Sequence, residues 1–215
     1  VFGYNMPGLK LERELYHSGS KIIAGIDEAG RGPLAGPVVA AAVILPRKLC
    51  ETTPWLNQID DSKKLSQKRR ESAYELIFNN AIAVAICEET PEAIDKLGIG
   101  NATIKAMFQA IQNLDTTPEY LLFDFVPIKS SPLPFRTVVK GDSISYSIAA
   151  ASIIAKVTRD RYMTWADKEY PGYGFAQNKG YPTKEHISKL KELGPSGIHR
   201  RSFSPVQSVL TFDSL

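Results

Sequence analysis

The chain has 215 residues, 43% apolar and 23% charged, which suits a sizeable folded core and excludes a disordered or collagen-like chain. Its two cysteines, Cys50 and Cys87, form no CxxC or Cys/His metal pattern, so reduced thiols in a cytoplasmic protein are expected. The net charge of +3 is uneven: residues 1–128 carry 13 Lys/Arg against 16 Asp/Glu, and residues 129–215 carry 13 against 7.

A basic second half suits a polyanionic partner, but equally a lysine-rich solvated surface. The longest nearly apolar run, residues 38–45, is far shorter than the roughly 20 residues of a membrane span. Lys10, Glu12, Arg13 and Glu14 interrupt the N-terminus, so no signal peptide is expected.

Residues 21–27 read as a buried strand that delivers Asp27 and Glu28 at its end. Residues 37–45 are a second, β-branched run, framed by Gly32-Pro33, Gly36-Pro37 and Pro46. The spacing of Tyr74, Ile77 and Phe78 predicts a helix over 66–79. Residues 81–87 read as a third strand. Thr90-Pro91 marks a helix start, with threonine as cap and proline at the first helical position. Asn101 is the expected cap of the next helix, where Ile104, Met107, Phe108 and Ile111 recur.

Residues 120–125 read as a fourth strand with Asp124 near its C-terminal end, and residues 135–139 as a fifth. Residues 143–168 read as one long helix and 170–182 as a loop. Thr183 then opens a helix that Gly194-Pro195 ends. This order predicts an α/β fold, a mixed sheet covered by helices with a helical C-terminal part. The tail after Ser204 has no clear pattern. Gln207 and Leu210 begin like a sliding-clamp peptide, but Asp213 stands where its aromatic pair should start.

Four acids, Asp27, Glu28, Asp124 and Asp142, sit at expected element ends. If those ends converge, they form a cluster of hard oxygen ligands of the kind Mg²⁺ or Mn²⁺ prefers. Each acid has a plainer alternative. Asp142 can be a helix cap, Asp27 can satisfy turn amides, and only Asp124, flanked by apolar residues, resists such a reading. Adjacent strand residues point to opposite faces, so Asp27 and Glu28 share one ion only if the strand ends or bulges there.

Gly30-Arg31-Gly32-Pro33-Leu34-Ala35 matches a GxGxxG/A dinucleotide fingerprint, yet Gly36-Pro37 blocks the helix that fingerprint must open. No phosphate-binding GxxxxGK[ST] loop and no GxSxG elbow occurs. His17, His186 and His199 are far apart in sequence, and surface or hydrogen-bonding roles are expected for them. Lys63, Lys64, Lys179, Arg200 and Arg201 are candidate phosphate contacts, each with a solvated-surface alternative. A non-catalytic nucleic-acid-binding module is the rival reading of the basic half, and a DNA-only nuclease the rival reading of the acids.

Several longer motifs occur in order: Asp27-Glu28-Ala29-Gly30-Arg31-Gly32, Asp61-Ser62-Lys63-Lys64-Leu65 and Lys140-Gly141-Asp142. Residues 148–157, Arg159-Asp160, Gly172-Tyr173-Gly174-Phe175 and Asn178-Lys179-Gly180-Tyr181 follow them. Over residues 20–205 the chain resembles bacterial ribonuclease HII. The resemblance implies a single ribonuclease H-like domain over 1–215, with a core over about 20–170 and a C-terminal loop and helical extension over about 171–215. It implies metal-dependent hydrolysis of the RNA strand of RNA/DNA hybrids and nicking 5′ of single ribonucleotides in duplex DNA, in primer removal and ribonucleotide excision repair.

By motif position, Asp27, Glu28, Asp124 and Asp142 become the catalytic, metal-binding acids, with Mg²⁺ or Mn²⁺ as cofactor and two ions present with substrate. Gly30, Arg31 and Gly32 become the segment that reads the ribose 2′-hydroxyl. Tyr181 becomes the ring on the neighbouring sugar, and Lys63 and Lys179 further substrate contacts. A monomer acting on hybrid or ribonucleotide-containing duplex, without a membrane or an obligate protein partner, is expected. Arg31 and the short N-terminus favour the HII type over the related HIII type. Phe125 departs from the pattern, standing where glycine is expected after the third acid, and Asn178 stands where histidine is common.

Overall fold

A computed structural model describes residues 6–212. Its strands are β1 (Ile23–Ala29), β2 (Val38–Ile44), β3 (Ala83–Glu89), β4 (Tyr120–Asp124) and β5 (Phe135–Val138). They form one mixed sheet in the order β3-β2-β1-β4-β5. Every expected strand is present within two residues of its expected bounds. The helices are α1 (Lys10–His17), α2 (Gln67–Asn80), α3 (Pro91–Leu97), α4 (Ile99–Gln112), α5 (Tyr146–Glu169), α6 (Phe175–Asn178), α7 (Lys184–Leu193) and α8 (Ser204–Phe212).

The expected cap holds at α3, where the Thr90 hydroxyl accepts from the Ala93 amide; the Ser66 and Thr183 hydroxyls cap α2 and α7 in the same way, accepting from the amides of Arg69 and His186. Asn101 is a correction. Gly98, at φ 76°, ends α3 and the next helix starts at once, so Asn101 lies inside α4 and its side-chain amide donates to Leu97 O at 2.9 Å. The long helix also starts later than expected. Gly141–Ser143 form a 3-10 turn, and α5 begins at Tyr146.

The reason lies outside the local sequence. Glu12 of α1 accepts from Ser145 Oγ at 2.6 Å and Ser147 N at 3.0 Å, which anchors the start of α5 there. Helices α1 and α6 were not foreseen, and α8 makes Ser204–Phe212 a helix, while Asp213 of the expected clamp pattern lies outside the described residues. Among the described residues, no helix is long and apolar enough to cross a membrane.

The chain forms two compact units. One comprises residues through Glu28, 40–87 and 107–157. Its sheet and α5 meet at very close range. A Cβ on Gly25 would lie 2.1 Å from Ser147 C and 2.3 Å from Ser147 O, so β1 and α5 touch backbone to backbone. The run of small residues in 148–157 permits this approach, and Ile23, Leu122 and Ile148 pack around it with Leu11.

The other unit comprises residues 29–39, 88–106 and 158 onward. Here His186 and His199 are buried and joined Nε2 to Nε2 at 3.0 Å. The Tyr181 carbonyl, which can only accept, lies 2.8 Å from His186 Nδ1, so that nitrogen carries the hydrogen. The Ser196 amide, which can only donate, lies 2.9 Å from His199 Nδ1, so that nitrogen is bare. His199 Nε2–H therefore donates to His186 Nε2, and both rings are neutral. Burial, with the neighbouring His186, pushes the His199 pKa down to about 3, and burial also lowers that of His186.

Two outcomes follow from the packing. Gly25→Ala forces a methyl into backbone atoms that cannot yield, and we expect a loss of about 3 kcal/mol or more in urea unfolding. The histidine pair gives stability a definite pH slope. Unfolded histidine binds a proton below about 6.5, whereas folded His199 does so only near 3, so stability is full above pH 6.5 and lost as the pH falls. The unfolding free energy from urea titrations between pH 7 and 5 should fall at up to about 1.4 kcal/mol per pH unit for each proton of difference, and His199→Gln should flatten that slope.

Candidate active site

Three acids converge because of strand register. β1 and β4 are parallel with Ile26 opposite Phe123, so Asp27 and Asp124 come next at adjacent carboxyl ends. β5 pairs parallel to β4 with Asp124 opposite Val138. The chain then turns through Lys140, in the left-handed region at φ 55°, and Gly141. Gly141 N donates to Asp124 Oδ1 at 2.8 Å, and the 3-10 turn brings Asp142 alongside. A side chain at 141 would meet Ile148 Cδ1 at 2.6 Å, so this turn requires glycine. One carboxylate oxygen each from Asp27, Asp124 and Asp142 lies within 4.8 Å of the others.

The plainer roles can now be judged. Asp142 is buried in the turn before α5, with Lys63 Nζ at 3.2 Å from Oδ2 and Ser143 Oγ at 3.4 Å from Oδ1. Asp27 does accept from the Glu28 amide, at 2.7 Å from Oδ1, so its backbone role exists beside its place in the cluster. Phe125 is 58% exposed, and Asp124 joins the cluster despite the larger neighbour.

The electrostatics match a cation site. Burial first, then the charges of Glu28 and Asp124, raise the Asp27 pKa well above the ordinary carboxylate range. Burial pulls the Lys63 ammonium down, but Asp142 and the charges of Asp27 and Asp61 outweigh it and leave its pKa raised. Hard oxygen donors that repel one another, with an ammonium already drawn to one edge, are a donor set suited to Mg²⁺ or Mn²⁺.

Glu28 is the expected acid that stands outside the trio. It follows Asp27 directly on β1, which continues through to Ala29. Its charge still acts on Asp27. Sequence reading gave Ser62 no role and offered Ser152, with Lys156, only as an unsettled support for the site residues. Their hydroxyls lie 2.9 Å apart in the interior, and the Ser152 hydroxyl also bonds the Asp27 carboxylate. Both sit in motifs quoted above, but 90 positions separate them, and no local pattern links them.

In the second unit, Gly30, Arg31 and Gly32 lie on a loop built around two buried arginines. Arg200 is a correction, since it is fully buried rather than a surface phosphate contact. Its Nε donates to Gly36 O at 2.9 Å and its Nη1 to Pro33 O at 2.8 Å and Arg31 O at 3.1 Å. Its Nη2 donates to Gly30 O at 2.6 Å and Pro37 O at 3.1 Å. Arg159 donates at 3.0 Å to each of Pro37 O, Ala35 O and Lys179 O. Burial lowers their pKa values to about 9 and about 10, and both remain protonated at neutral pH.

The glycines have different reasons. Gly30 has φ +99°, and a Cβ there would meet Arg159 Nε at 2.1 Å. A Cβ on exposed Gly32 would meet only Tyr181 Cε1, at 3.5 Å, an ordinary contact. Tyr181 is 43% exposed, so Gly32 and the tyrosine ring border one accessible slot. Lys179 directs its ammonium to Asp160 O at 3.3 Å and Thr164 Oγ1 at 3.0 Å.

The family described as Ribonuclease HII matches residues 24–206. The Ribonuclease HII of Desulfitobacterium hafniense (strain Y51) is 50% identical over 202 residues, covering 94% of this chain and 76% of the relative. Ribonuclease H2 from Pyrococcus horikoshii OT3 has the same fold at a TM-score of 0.76 and 24% identity, covering 89% of this chain and 98% of that one. Bst-RNase HIII, solved in complex with Mn²⁺, shares the fold at a TM-score of 0.66 and 18% identity, with 92% and 71% covered. A match across residues 24–206, with half of the residues shared over most of the chain, places this chain in the ribonuclease HII family of divalent-metal-dependent endonucleases that act on RNA/DNA hybrids.

Proposed function

We propose that this chain cuts the RNA strand of hybrids and nicks duplex DNA on the 5′ side of a single embedded ribonucleotide, leaving 5′-phosphate and 3′-hydroxyl ends. Such an activity serves primer removal and ribonucleotide excision repair. The observation that carries the reading is the oxygen cluster of Asp27, Asp124 and Asp142, one atom each within 4.8 Å. With Glu28 as a fourth acid, these residues hold Mg²⁺ or Mn²⁺, two ions with substrate bound. Such ions supply an activated water and a stabilised leaving oxygen.

The chain's own residues prepare the site. Ser152 orients Asp27, and Gly141 N holds Asp124 by its Oδ1. Lys63 offsets the charge of Asp142 and stands ready for a substrate phosphate. Lys179 adds positive charge from a loop beside α5. Selection of RNA rests on the 2′-hydroxyl, the group that DNA lacks. Gly30, Arg31 and Gly32 meet that hydroxyl, and Tyr181 packs on the adjoining sugar. This reading segment follows Asp27 and Glu28 directly in the chain.

The test uses two labelled duplexes, one all DNA and one with a single ribonucleotide. With Mg²⁺ or Mn²⁺, only the second should be cut, and chelator or Asp124→Asn should abolish cutting by at least about a hundredfold. Equal cutting of both duplexes would discard the role given to Gly30-Arg31-Gly32, and binding without cutting would remove the proposed chemistry.

Gly32→Ala separates recognition from folding. The added methyl fits the unbound protein, so unfolding stability should change by no more than about 0.5 kcal/mol. It fills the slot beside Tyr181, so kcat/KM on the ribonucleotide duplex should fall roughly tenfold or more. An unchanged rate would remove Gly32 from the recognition surface.

A further inference from the structure

The two buried arginines of the second unit have a feature that packing alone does not call for. A guanidinium has five N–H donors. All five of Arg200 go to backbone carbonyls, and every one belongs to residues 30–37. No carboxylate is among the hydrogen-bond partners of either guanidinium. The nearby Asp95 instead accepts from the amides of Arg201 and Ser202 and from the Ser202 hydroxyl. Burying a cation on neutral carbonyls is costly, and it is sustained here by the full set of donors.

The consequence lies on the other side of each peptide. The described residues contain no cis peptide bond, so each C=O and the N–H that shares its plane point in opposite directions. Arg200 draws the Gly30 carbonyl inward, which turns the Arg31 N–H outward. It draws the Arg31 carbonyl inward, which turns the Gly32 N–H outward. Arg31 and Gly32 are both exposed. Farther along the loop, the Leu34 amide donates to Gly180 O at 2.8 Å and the Gly36 amide to Ile198 O at 2.9 Å, so they serve the fold. Two consecutive outward amides, each backed by a cation on its own carbonyl side, are a donor pair for an oxygen atom.

We propose that Arg200 is the positioning residue of ribose recognition: by gathering the Gly30 and Arg31 carbonyls it aims the Arg31 and Gly32 amides at the 2′-hydroxyl oxygen of the ribonucleotide. This rests on the reading given under Proposed function. Arg159 holds the far part of the loop, at Ala35, Pro37 and Lys179, and touches neither of the two carbonyls that matter. Both arginines are buried, and of the two only Arg200 bonds the Gly30 and Arg31 carbonyls.

The experiment measures binding by fluorescence anisotropy in an Asp124→Asn background, where cutting does not interfere, with Mg²⁺ present. The quantity read is the ratio of Kd for an all-DNA duplex to Kd for the same duplex with one ribonucleotide. This ratio cancels any loss of folded protein, which a merely structural role would produce. We expect Arg200→Lys to lower the ratio roughly tenfold, while Arg159→Lys keeps it within about twofold.

Arg200→Gln, which keeps two N–H donors without the charge, is the second variant. The ratio is scored on whichever variant retains a cooperative unfolding transition. A preserved ratio in the Arg200 variant, or an equal fall in both arginine variants, overturns the proposal and leaves the ribonucleotide reading intact. No preference for the ribonucleotide duplex with Arg200 in place overturns that reading itself.

Discussion

Three carboxylates within 4.8 Å of one another repel, and burial makes the repulsion stronger because little water screens it. A fold can hold such a group only if its backbone leaves no alternative. Here two parallel ladders in register set Asp27 beside Asp124. A glycine turn that admits no side chain brings in Asp142. The close contact of β1 with α5 at Gly25 and Ser147 keeps the sheet from relaxing away. Burial first, and then the neighbouring acid charges, raise the Asp27 pKa, and the ammonium of Lys63 lies against Asp142. Hard oxygen donors under such repulsion suit a divalent cation, the cofactor on which the family depends.

The second unit solves the opposite problem. It buries two cations without pairing them with carboxylates, and it uses main-chain carbonyls as their ligands. The loop is shaped from inside by Arg200 and Arg159. Gly30 is glycine because a guanidinium lies where its side chain would be, whereas Gly32 has room for a methyl. Two glycines two positions apart thus answer to different pressures, one to the interior and one to whatever meets the surface beside Tyr181.

Much of this was legible in the chain. The strands, the cap at Thr90, the helix start at Thr183 and the acids near element ends follow from local rules of periodicity, capping and element ends, though the convergence of three acids does not. These rules act over a few residues, and the sequence displays them directly. Local rules missed Asn101, because the position of a helix start there depends on Gly98 rather than on the best capping side chain. They missed the start of α5, because its anchor, Glu12, lies at the other end of the unit's sequence.

The sequence by itself determined the sheet-and-helix order, the acids at strand ends and the glycine breaks, because each is encoded within a few neighbouring residues. Only the tertiary structure decided the rest. It brought the oxygens of Asp27, Asp124 and Asp142 together, joined Ser62 to Ser152, paired His186 with His199, and sent Arg200 inward to the carbonyls of residues 30–37. Each of these depends on groups far apart in the chain or on the burial of a charge. An arginine looks the same in a sequence whether it ends in water or in a ring of carbonyls, and long-range packing alone makes the second the stable choice.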